Sequence, residues 1–250
     1  MLEAIGYTPQ MARWAVATDT EVGRVLRTVG GVVQVLTEAG PLRAGPGGDL
    51  LAAVAADAAA SPVPGDWVVV RHWPDHRATV TEVLPRRGVL DASCASGGGS
   101  GPVGSHIDVA AIAVRSDPVP GALAGQARWL RDQGVLPAVV QAGDCRITSG
   151  LGRDCPDVEV VGVDLWSEAA PRLLELVAAS RTLAVLGDRA RDRSGLLAGL
   201  TGTPVLHVPA STRRRDAGAV LVPLPGGGAV LDPGPAAWRS TRPRLAPGRS

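Results

Sequence analysis

The chain contains no lysine and no phenylalanine, and all 25 of its basic residues are arginine. Any mechanism that needs a lysine amine is thereby excluded. Arginine holds phosphate bidentately but is bulkier and forked, so it does not substitute quietly for lysine in a tight cradle. Cysteine is scarce as well: Cys94, Cys145 and Cys155 form no CxxC pair, and the four histidines are scattered. A closed zinc site is therefore unsupported, no zinc is expected, and a reduced, cytoplasmic setting is the default. His72 and His76 are four apart, but Trp73 and Pro74 between them predict a surface turn rather than a metal site. No apolar run is long enough for a membrane span, and Met1 to Ala17 does not read as a signal peptide. A formal net charge of +1 excludes no partner, because basic patches can sit inside a neutral total. Few aromatic residues are available for stacking on bases, and Trp67 and Trp73 read as core or barrel-lip residues.

What is present reads in two parts. The first 87 residues predict a leading helix over Thr8 to Ala17 and then a set of short strands. Val22 to Leu26 and Val32 to Leu36 are joined by a Gly30-Gly31 turn, and Trp67 to Arg71 and Ala78 to Leu84 follow. Gly40 to Gly48 reads as loop and Asp49 to Ala60 as a short helix or insertion. Strands of this length and number fit a small OB-type barrel. Residues 88–104 are Gly/Ser-rich and read as a linker.

From 105 to 238 the pattern alternates. Strands are predicted at Ile107 to Val114, Leu136 to Val140, Val158 to Val161, Thr182 to Leu186, Val205 to Val208, Val220 to Leu224 and Ala229 to Leu231. Helices are predicted at Leu123 to Gln133 and Glu168 to Ala179. Such alternation implies a mostly parallel sheet with helices on both faces, an α/β class. Residues 239–250, rich in Arg and Pro, read as a disordered tail.

The stretch that carries chemistry runs from Thr182 to Leu200. A short apolar strand breaks at Gly187, and Ser194 opens an apolar segment at helical spacing. This is the frame of a phosphate-binding loop, G-x-x-x-x-G-K-[ST], which works by aiming backbone N–H groups at anionic oxygens beside a helix N-terminus. Its contents differ, since Asp192 replaces the second glycine and Arg193 the lysine, and Asp188 adds negative charge. Alternatively, Asp188 caps a helix starting at Arg189, with Ser194 only a helix-opening residue. Arg86-Arg87 and Arg213-Arg214-Arg215 are the candidates for RNA phosphate contacts.

The order of parts resembles the circularly permuted GTPases of the ribosome-small-subunit-dependent GTPase A family. Gln141-Ala142-Gly143-Asp144 ends a strand well before the loop, where that family reads guanine with N-K-x-D. Gly23-Arg24-Val25, Pro64-Gly65-Asp66-Trp67-Val68, Val83-Leu84-Pro85-Arg86-Arg87 and Ile107-Asp108-Val109 agree, as does Leu224-Pro225-Gly226-Gly227. The resemblance implies a circularly permuted P-loop GTPase-fold domain after the barrel. It implies GTP or GDP with Mg²⁺ as cofactor and the small ribosomal subunit or its rRNA as partner. Carried over residue by residue, Gln141 and Asp144 face guanine, Gly187 and Arg193 the phosphates, and Ser194 and Asp232 the Mg²⁺. Asp232-Pro233-Gly234-Pro235 departs from the family's Asp-Thr-Pro-Gly, and the zinc module has no counterpart. Three functions stay open: a small-subunit binder with weakened or lost GTP binding, a working GTPase, and a pseudo-GTPase scaffold for a non-ribosomal partner.

Overall fold

In the computed structural model of the chain, the residues described are 2–91, 101–114, 120–141, 159–161, 183–186, 205–208 and 220–222. The first unit is a closed barrel. Its strands are β1 (Thr20–Val29), β2 (Val32–Thr37), β3 (Gly40–Pro46), β4 (Trp67–His72) and β5 (Ala78–Val83). They close in the order β1-β2-β3-β5-β4, and helix α1 (Gly48–Ala56) lies between β3 and β4 in sequence. This is the OB-type arrangement that the strand pattern predicts. Without phenylalanine the barrel is filled by small branched side chains. Val25, Val33, Val35, Val68, Val70 and Val80 pack with Ala44, and Leu50 of α1 joins them. β-Branched residues suit a pleated wall, and a five-stranded barrel has room for little more.

Two expectations are corrected here. Gly40 to Gly48 was expected to be loop, yet Gly40–Pro46 is a strand, antiparallel to β2 and parallel to β5. Closure of the barrel supplies partners on both sides and overrides the low β propensity of its glycines and prolines. The helix expected over Thr8 to Ala17 is instead a shorter 3₁₀ helix, Pro9–Trp14, and a second 3₁₀ turn, Leu2–Ile5, precedes it. Thr8 makes no side-chain capping bond, and Leu2 and Ile5 are held by burial.

The second unit is a six-stranded sheet, in the order β10-β9-β8-β11-β12-β13. These strands are β8 (Val109–Val114), β9 (Leu136–Gln141), β10 (Glu159–Val161), β11 (Leu183–Leu186), β12 (Val205–Val208) and β13 (Val220–Val222). All pairings are parallel except that of β12 with β13. Helix α2 (Pro120–Asp132) connects β8 to β9. It ends where Gly134 takes a φ of 73° and Val135 N–H bonds Leu130 O at 2.9 Å, a Schellman closure that buries Leu130 against Val135. The mostly parallel α/β sheet is as the alternating pattern predicts. The helix expected over Glu168 to Ala179, the strand over Ala229 to Leu231 and the tail at 239–250 lie outside the described residues.

The two units share a core. On β4, Val68 and Val70 face the barrel interior, while Trp67 and Val69 join a second cluster with Val22, Leu26, Leu36 and Leu84. That cluster continues into the sheet through Leu90, Ile107, Ala110, Ile112, Leu130 and Leu206. The segment expected to be linker begins and ends in this seam. β6 (Leu90–Asp91) and β7 (Pro102–Gly104) form an antiparallel ribbon, with Leu90 fully buried.

Candidate functional site

Parallel pairing aligns the carboxyl ends of β8, β9, β10 and β11 on one edge of the sheet. The chain moves from β8 outward to β9 and β10, then returns to place β11 on the other side of β8. Strand order therefore reverses between β8 and β11. A reversal of this kind opens a crevice outside the carboxyl ends, where α/β sheets bind ligands. Leu186 is the last residue of β11 and pairs with Ile112, so β11 ends at this reversal. Gln141 is the last residue of β9 and pairs with Val114, so β9 ends at the same edge. With β8 between them, the two exits are about 10 Å apart at ordinary strand spacing. The chain from Val208 to Val220, which carries Arg213, Arg214 and Arg215, joins two antiparallel neighbours, and its ends are anchored at that edge as well. Asp144, Gly187, Arg193, Ser194, Arg213, Arg214, Arg215 and Asp232 themselves lie outside the described residues.

The remaining candidates, Arg86 and Arg87, sit at the seam. Arg86 is not a surface cation. Its Nε and Nη2 donate to both carboxylate oxygens of Asp66 at 2.8 and 2.7 Å, and it also donates to the carbonyls of Ala59 and Ser61. Asp66 is fully buried and accepts from Val63 N–H at 2.8 Å and from Ser105 Oγ at 2.6 Å besides. A carboxylate with four donors and a bidentate arginine is a structural hub, and Arg86 is withdrawn from the list of RNA contacts. Arg87 exposes its side chain.

Beside this hub Arg24 is buried within the seam. Its Nε donates to Gly65 O at 3.2 Å, Nη1 donates to Ile5 O, and the guanidinium stacks on Trp67 with 5.4 Å to the ring centroid. Tyr7 meets the same indole at 5.8 Å between centroids. Burial pulls the Arg24 pKa down to about 10, opposed by Asp108 and Asp66, so the group stays charged at neutral pH. Trp67 is thus core, as expected. Trp73 is partly exposed, with Arg71 over its ring at 5.3 Å and its indole N–H on Thr79. His72 bonds Glu21 at 2.6 Å, and His76 N–H closes a turn onto Trp73 O, the surface turn predicted. Among the described residues no group of His, Cys, Asp and Glu is arranged to hold a metal. No described helix is long and apolar enough to cross a membrane.

Fold and edge together define an OB-type barrel packed on a mostly parallel α/β sheet with a strand reversal between β8 and β11. No protein-family model matches the chain, and no curated protein matches it. Among solved structures it is similar to YjeQ from Thermotoga maritima, at 14% identity over 82% of this chain and 74% of that one, with a TM-score of 0.47. It is also similar to YloQ, a circularly permuted GTPase, at 16% identity over 82% of this chain and 72% of that one, again with a TM-score of 0.47.

Proposed function

We propose that the chain is a divergent circularly permuted GTPase-like protein that acts by binding the small ribosomal subunit or its rRNA, with GTP binding weakened or lost. The observation that carries the reading is the reversal between β8 and β11, with Leu186 and Gln141, the last residues of β11 and β9, on one edge of the sheet. The weakening follows from the contents of the Gly187 to Ser194 frame. Asp188 and Asp192 bring negative charge toward a phosphate, and Asp192 stands where glycine would permit positive φ. The 250 residues include no asparagine, so guanine reading falls to Gln141 and Asp144. The hydroxyl of Ser194 and the carboxylate of Asp232 are the oxygen ligands that suit Mg²⁺ in kind, and they would hold it if nucleotide binds. With Arg86 spent on Asp66, the cations left for RNA are Arg87, Arg213, Arg214 and Arg215.

Binding of fluorescent GDP and GTP analogues, with and without Mg²⁺, tests the nucleotide half. Micromolar, guanine-selective binding lost in Asp144→Ala and Ser194→Ala would favour the second reading, a working GTPase with Arg193 in the lysine's place. Salt-dependent co-sedimentation with small subunits tests the other half. Its absence would leave a pseudo-GTPase scaffold for another partner.

A further inference from the structure

Among the described residues, His106 is the buried side chain whose polar atoms are left without partners: neither ring nitrogen has a hydrogen-bond partner. A neutral imidazole carries one donor and one acceptor, and a charged one carries two donors. The residue is 8% exposed, and its φ is 55°. It sits where the chain enters the sheet. Ser105 N–H bonds Pro64 O at 3.1 Å, His106 N–H bonds Arg87 O at 2.6 Å, and Ile107 N–H bonds Gly88 O at 3.1 Å. The fit is tight on both sides. A Cβ on Gly65 would stand 2.2 Å from Ser105 O and one on Gly88 2.1 Å from Ile107 O, and both glycines have positive φ. Residues 105–107 are thus gripped between the turn before β4 and the segment after β5.

The charges that act on the ring are positive. Arg24 comes from β1, and Arg86 and Arg87 from the segment after β5. Of the nearby carboxylates, Asp66 accepts from Arg86 and Ser105, and Asp108 acts on Arg24 through its charge. Burial, with Arg24, Arg87 and Arg86 behind it, holds the His106 pKa down to about 3. The barrel interior is a cluster separate from the seam cluster, so the barrel can stay closed while this grip is released.

We propose that residues 105–107 form an acid-released clasp, in which protonation of His106 frees this segment from the barrel while the barrel itself remains folded. The test is amide hydrogen exchange by NMR on the full chain between pH 6.5 and 4.5, corrected for intrinsic rates. Protection of Ser105, His106 and Ile107 is expected to fall about tenfold per pH unit. It should stay at least tenfold below that of the β1–β2 ladder throughout. In His106→Asn, which accepts a left-handed backbone, the fall should vanish. Protection that ignores pH, or clasp and ladder amides that exchange together at every pH, would overturn the proposal. Should the variant not fold, ring resonances of the unaltered protein decide. His106 must stay neutral in the closed state through pH 4.5, and a ring that titrates near 6.5 defeats the idea.

Discussion

Replacing Asp66 by alanine removes four hydrogen bonds at once, two of them from a guanidinium. The guanidinium of Arg86 is mostly buried, and without its carboxylate it is left charged and only partly satisfied by two carbonyls. Breaking such a pair by removing one partner costs about 3–5 kcal/mol, most of it the orphaned charge. The lost Ser105 and Val63 bonds add about 1 kcal/mol each, offset in part by relaxation and water entry. A net loss of ~4 kcal/mol is expected, a large share of the 5–15 kcal/mol typical of a folded domain. Urea unfolding followed by far-UV circular dichroism measures it, with an unchanged m-value as the sign that both end states are the same. Asp66→Ala combined with Arg86→Met should recover ~2 kcal/mol, because the second change removes the orphan. A single-variant loss below ~1 kcal/mol would refute the reasoning, and so would a double variant no more stable than Asp66→Ala.

Other outcomes follow from the same geometry. Gly65→Ala forces a φ of 93° on alanine and drives its Cβ into the Ser105 carbonyl. Thermal unfolding should show a loss of ~2 kcal/mol or more. For His106 the unfolded imidazole binds a proton below pH ~6.5 and the folded one only near 3, so protons favour unfolding in between. Stability should therefore drop by ~2 kcal/mol from pH 6.5 to 4.5, and His106→Asn should lose that component in a urea titration series. In subunit co-sedimentation, Arg86→Met should leave the salt slope unchanged, whereas alanine at Arg213, Arg214 and Arg215 should flatten it by up to ~3. In fluorescent nucleotide titrations, Arg193→Ala should weaken any measurable binding at least tenfold, because no lysine is present to compensate.

Alternation made most of the strands legible. β4 reads Trp-Val-Val-Val-Arg-His, and both of its faces are buried, one toward each core. β3 was illegible because Gly40, Pro41, Gly45 and Pro46 carry no strand preference until β2 and β5 lie beside them. The spacing of Gly187 and Ser194 is a sequence pattern, while the strand reversal at the end of β11 needed the sheet order. The seam hub was hidden for another reason. Arg86 and Asp66 are twenty residues apart, and in sequence one reads as part of a charge run and the other as a turn residue. They meet only when the barrel closes. The signal that was available is the pair Gly65-Asp66 before a strand, where a buried carboxylate can gather turn N–H groups.

β8 starts beside the clasp and ends at the strand reversal, with β9 and β11 hydrogen-bonded along its two sides. Six strand residues span about 20 Å. The strand is therefore a strut of fixed length, anchored at one end on the barrel and holding the sheet's carboxyl edge at the other. A partner that grasps both the barrel and that edge is gauged against this length. Shortening or lengthening β8 by two residues would preserve its alternation and yet set the two grips out of step by about 7 Å.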